Sequence, residues 1–141
     1  ATMKFSKLVV AALALAVAGL SNTALAGGKD PLFIGLSSNS EMRVAHVLHF
    51  AGLQQAKGHP LTIWLNENGI FLASSKHTAK HAAAQKSLAE LMNKGATVIV
   101  CQFCMKQLDV KEPELLPGFK VGNPDLLNGA LFKDDTKTLS W

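Results

Sequence analysis

No run of Lys and Arg interleaved with aromatic residues occurs in this 141-residue chain, so a nucleic-acid role lacks its electrostatic footprint. There is no G-x-G-x-x-G and no Walker-type glycine loop, so dinucleotide or nucleotide binding has no phosphate cradle to rest on. A flavin site has only loop polarity in its favour. Internal repeats and low-complexity tracts are absent. Charged residues are 17% of the chain against 48% apolar, which excludes a disordered or collagen-like protein. Long apolar runs are also missing: Leu8–Leu20 has 13 residues, where a membrane-spanning helix needs about 20. Cysteine is scarce, with two residues in all, and both fall in one tetrapeptide.

What is present begins with an export pattern. Met3 opens a short basic region, Lys4 and Lys7, followed by the apolar run and then Ser21-Asn22-Thr23. Ala24-Leu25-Ala26 places small residues where a signal peptidase reads them, so residues 1–26 are expected to be a cleavable signal peptide. No cysteine follows the run to support lipoprotein processing, and Ala1-Thr2 read as residues added ahead of the start Met. Cleavage would leave one domain, 27–141, with 12 basic and 10 acidic side chains, in the periplasm or outside the cell. That product would not be membrane-bound, and its compartment would be oxidising.

Along the remaining chain, apolar runs alternate with helical patterns. Pro31–Ser37, Leu61–Leu65, Ala96–Val100, Phe119–Val121 and Thr136–Trp141 read as strands, the third as a central one because it is continuous and β-branched. Glu41–Lys57 carries Val44, Val47, Leu48 and Ala51 at helical spacing and ends at Gly58. Thr78–Lys94 carries Ala84, Leu88, Leu91 and Met92 on one stripe and stops at Gly95, and Pro124–Leu131 is a last helix capped by Asn123. Asn66–Gly69 has turn chemistry, Ile70–Ala73 is a brief apolar patch, and Ser74–Lys76 is a polar loop. The alternation predicts a parallel sheet with helices on both faces.

In such sheets chemistry collects outside the carboxyl ends of the strands. Three loops qualify: Ser37–Glu41, Asn66–Lys80 and Cys101–Cys104. The last, C-x-x-C directly after a strand, reads as redox-active or metal-binding. A thiol at a strand end facing a helix start has its thiolate favoured by backbone N–H groups, and thiolate is the nucleophile. A plain disulfide staple, or Cys101 as a small buried hydrophobe, are the bland alternatives. Thioredoxin is a poor match, because Gln102-Phe103 stands where it has Gly-Pro. His77 and His81, four apart, lie at the same sheet edge and either approach the thiols or remain unpartnered loop histidines. His46, His49 and His59 read as ordinary helix and turn residues.

The segments Gly58–Ile70 and Val98–Cys104, with Leu115-Leu116-Pro117-Gly118-Phe119 and Leu139-Ser140-Trp141, resemble the DsrE/DsrF-like family in order and spacing. The resemblance implies a three-layer α/β/α sandwich with a mostly parallel sheet of about five strands, assembled as a homotrimer or hexamer. It also implies sulfur carried as a persulfide on a cysteine at the position of Cys101, as in DsrE and the Tus relay subunits. Cys104 is an addition to that pattern and can act as a resolving thiol. The sequence therefore predicts a sulfurtransferase-like carrier that takes sulfur from a donor or small polysulfide to an acceptor thiol protein. Cys101 and Cys104 carry the chemistry, Asn66, Asn68 and His77 stand beside them, and no cofactor is expected. A zinc or copper module built from Cys101, Cys104, His77 and His81, with Met92 or Met105 nearby for Cu(I), is the first alternative. The second is a structural subunit with an inert disulfide.

Overall fold

The computed structural model describes residues 28–141; the expected signal peptide lies outside them. Five strands form one sheet: β1 (Leu32–Leu36), β2 (Leu61–Leu65), β3 (Thr97–Val100), β4 (Lys120–Val121) and β5 (Lys137–Ser140). Four α-helices connect them: α1 (Glu41–Ala56), α2 (Thr78–Asn93), α3 (Gln102–Gln107) and α4 (Pro124–Leu131). The strand order is β4-β3-β2-β1-β5, and every pairing is parallel. The expected central strand, β3, lies one place off centre, and β2 occupies the middle.

Pairing register explains why the inner strands read as apolar runs. Ile34, Ile63 and Val98 stand side by side, as do Leu36, Leu65 and Val100. All six are fully buried and share a core with Val44, Val47, Leu48 and Ala51 of α1 and Leu88 and Leu91 of α2. Each of the valine, leucine and isoleucine side chains contributes about 1.5–3 kcal/mol of burial. The alternate residues Phe33, Trp64 and Ile99 face the other side, and Leu127 of α4 reaches the neighbourhood of Ile99 there. The connection from β4 to β5 runs back across the whole sheet, so a right-handed crossover puts α4 on the face opposite α1 and α2.

Local expectations hold with instructive exceptions. Gly58 follows α1 at φ +97, the left-handed conformation that lets a glycine end a helix. The Asn123 side chain accepts the Leu126 amide at 2.8 Å and starts α4. The expected turn and apolar patch over 66–73 are instead a 3-10 helix, Glu67–Ala73, with a second over Ser75–His77. On α2 the expected stripe faces the core, with Leu88 and Leu91 buried and Ala84 and Met92 packed against it half-buried; the stripe also holds His81 and, unexpectedly, Gln85. It is buried because it has partners: its Nε2 donates to the Ser74 carbonyl at 2.9 Å, and Thr78 Oγ1 donates to its Oε1 at 2.8 Å.

Candidate disulfide site at the carboxyl edge of the sheet

One wall of the site comes from β3. The Cys101 amide donates to the Leu65 carbonyl at 2.9 Å, which carries the β2–β3 ladder one residue past the strand. Cys101 then caps α3: its Sγ accepts the Cys104 amide at 3.1 Å and its carbonyl accepts the Met105 amide at 3.0 Å. The two cysteines are joined as a disulfide with Cα atoms 5.2 Å apart, inside the usual range for such a bridge.

The other wall comes from β1 and β2. Asn66 donates its amide to the Leu36 carbonyl at 3.0 Å, its Oδ1 accepts the Ser37 hydroxyl at 2.7 Å, and its Nδ2 donates to the Trp64 carbonyl at 3.3 Å. The next residue, Glu67, is held at φ +45, in the left-handed region that non-glycine residues seldom occupy. In that conformation its amide donates to Cys104 Sγ at 3.3 Å. Gly69 fixes the 3-10 helix against β1, since a Cβ there would stand 2.2 Å from the Leu36 carbonyl oxygen. Each sulfur thus receives one backbone N–H, from two different chain segments.

The two cysteines differ in access. Cys101 is 8% exposed and belongs to the core, whereas Cys104 is only half-buried. The residue singled out in the sequence as nucleophile is therefore the less accessible of the pair.

The remaining candidates are placed variously. Asn66 ties the β1 and β2 loops together, and its side-chain bonds go to Ser37 and Trp64 rather than to a sulfur. Asn68 is exposed. The His77 ring lies tilted against Phe71 with ring centroids 4.5 Å apart. His81 is 6% exposed, and its Nε2 lies 3.5 Å from Asn39 Nδ2. Burial holds the His81 ring below the ordinary imidazole range, and the Lys80 and His77 charges push it the same way. The His77, His81, Cys101 and Cys104 set is not assembled: among the described residues no three His, Cys, Asp or Glu side chains converge to hold a metal ion. Met105 is buried in the core and Met92 is packed against it. A cavity of about 540 Å³ between α1 and α2 is lined by His81, Asn39, Lys80 and His49, but by neither cysteine. The cavity and the disulfide are separate features of the molecule.

Glu67 is the participant that sequence reasoning missed. Its contribution is a backbone amide in a conformation that its residue type gives no sign of.

A parallel five-stranded α/β sandwich with a C-x-x-C closing the carboxyl edge defines the class. The model of the DsrE/DsrF-like family matches residues 32–137, and the chain belongs to that family. Its fold is similar to that of a protein of unknown function from Methanobacterium thermoautotrophicum, with TM-score 0.66 and 11% identity over 80% of this chain and 100% of that one. It is equally similar to the ychN protein from E. coli, with TM-score 0.65 and 14% identity over 80% of this chain and 99% of that one. No curated protein matches the sequence.

Proposed function

We propose that this protein handles sulfur or thiols through the Cys101–Cys104 pair, as a persulfide carrier with sulfurtransferase-like character. The observation that carries the reading is the placement of both sulfurs at the carboxyl edge of the sheet, each accepting a backbone N–H. Such donors favour a thiolate, which is the attacking form in sulfur exchange. Family membership adds the link to sulfur relay.

The chemistry starts from the reduced pair. One thiolate attacks the outer sulfur of a donor persulfide, R–S–S–H; a new S–S bond forms, the donor's S–S bond breaks, and R–S⁻ leaves with its electron pair. The resulting cysteine persulfide passes its outer sulfur to an acceptor thiolate, which regenerates the cysteine thiolate. Alternatively the second cysteine attacks the inner sulfur and expels HS⁻, leaving the Cys101–Cys104 disulfide, which a dithiol must then reduce. Partners are a sulfur donor, an acceptor thiol protein or a small polysulfide. The working place is the periplasm or the extracellular medium, and the assembly is a homotrimer or hexamer, to be read by light scattering of the purified chain.

The test is peptide mass spectrometry of reduced protein exposed to polysulfide and then alkylated. An added sulfur within Gly95–Lys106 that is absent from the Cys101→Ser, Cys104→Ser double variant supports the reading. An unmodified pair, or a disulfide that resists reduction by dithiols, overturns it in favour of a structural staple.

A further inference from the structure

We infer that Cys104 is the sulfur that exchanges with the outside, that Cys101 is the internal leaving and resolving group, and that the Glu67 amide is the positioning donor for Cys104. The assignment rests on the proposed use of this pair and reverses the order expected from the sequence.

Three observations lead to it. Cys101 is 8% exposed, capped into α3 and tied by its amide to Leu65, so an incoming sulfur has little approach to it. Cys104, three residues on, is half-buried on the solvent side. The third is Glu67. A non-glycine residue at φ +45 costs roughly 1–2 kcal/mol and persists only where its surroundings hold it. Here Gly69 packed on Leu36 and Asn66 bonded to Leu36 and Ser37 hold it. What that conformation delivers is an N–H 3.3 Å from Cys104 Sγ.

In the oxidised protein the consequence is directional. An external thiolate attacks Cys104 Sγ, a mixed disulfide forms there, and the Cys101–Cys104 bond breaks. The electron pair leaves on Cys101 Sγ, where the Cys104 amide at 3.1 Å receives the new charge. A second thiol of the same dithiol then attacks its own sulfur in the mixed disulfide and frees Cys104 as thiolate, beside the Glu67 amide. Two electrons enter, and the dithiol departs as a disulfide. In the reduced protein the same exposure makes Cys104 the sulfur that takes up a persulfide sulfur, and Cys101 the one that expels it as HS⁻.

The experiment uses single-cysteine variants of the full chain with the aromatic disulfide 5,5′-dithiobis(2-nitrobenzoate), read by released thiolate. Cys104 in the Cys101→Ser variant is expected to react at least about tenfold faster than Cys101 in the Cys104→Ser variant, because exposure and thiolate character govern the rate. Equal rates, or faster reaction of Cys101, overturn the assignment. For Glu67, the thiolate titration of Cys104 is followed by absorbance near 240 nm in the Cys101→Ser background. Glu67→Gly keeps the amide and tolerates the positive φ, so the titration stays in place. Glu67→Val, which disfavours that φ, is expected to move it upward by roughly one unit. Coincident titrations in the two variants overturn the role given to Glu67. Failure of the two readings is separable. Polysulfide adding no sulfur anywhere, while Cys104 still reacts faster, sinks the carrier function alone. Sulfur added on Cys101 keeps that function and sinks the assignment.

Discussion

Glu114 is 8% exposed, and its carboxylate is answered on three sides. The Lys111 amide donates to Oε1, the Ser74 hydroxyl donates to Oε2 at 3.0 Å, and Lys76 Nζ lies 3.5 Å from Oε2. The amide bond, with help from Ser74 and Lys76, holds its pKa below the ordinary value of 4.5. A carboxylate with a lowered folded pKa contributes stability that is complete above the ordinary value and is lost as pH falls toward the folded one. Chemical denaturation should therefore show Glu114→Ala less stable by about 1–3 kcal/mol at neutral pH, with the gap to wild type closing below pH 4.5. His81 works in a higher window. Burial, then Lys80 and His77, lower its folded pKa below 6.5, so the unfolded chain takes up a proton more readily than the native one. Stability is complete above that value and declines as pH falls from 6.5 toward the folded pKa. Thermal melts of His81→Phe between pH 7 and 5 should show a flatter slope than wild type.

At the scale of the element, the 3-10 helix over Glu67–Ala73 joins the core to the chemistry. Ile70, Leu72 and Ala73 are fully buried on one side, while Glu67 reaches Cys104 on the other. Its closest point is Gly69 against the Leu36 carbonyl, so Gly69→Ala forces a shift of backbone against backbone. The expected cost is about 1–3 kcal/mol in denaturant melts, accompanied by slower thiol exchange at Cys104. This element also marks where sequence reading stopped. The inner strands were legible because β1, β2 and β3 are apolar through burial, and the caps at Gly58 and Asn123 announce themselves chemically. Asn66-Glu67-Asn68-Gly69 carries the same polar signature whether it makes a tight turn or starts a 3-10 helix; what decides is Ile70 and Leu72 finding the core. Gln85 and Glu114 were hidden for a related reason. Their burial depends on Ser74, 11 and 40 residues away, and a polar residue on a core-facing stripe shows no partner in one dimension. The cysteine motif was visible as a motif, but the relative access of its two sulfurs is a property of the packed edge.

For the whole molecule, the first and last strands are neighbours. Leu32 pairs with Lys137 and Ile34 with Leu139, and the Trp141 amide and carbonyl bond to Gly35 and Ser37, each at 2.8 Å. The Trp141 ring meets Phe50 and His46 of α1 with centroids 5.8 and 6.1 Å away. Deleting residues 137–141 should lower the melting temperature and raise binding of a hydrophobic dye, since it uncovers one edge of β1 and part of α1. The arrangement also makes β5 the most distant partner in the sheet along the chain. The β1–β2–β3 ladder joins strands that follow one another in the chain, whereas pairing of β5 with β1 closes a loop of about 100 residues. Until β5 docks, that edge is a row of open hydrogen-bonding groups, a ready template for pairing with another chain. Docking of β5 is thus a seal on the sheet: it takes the seam of β1 before another extended segment can.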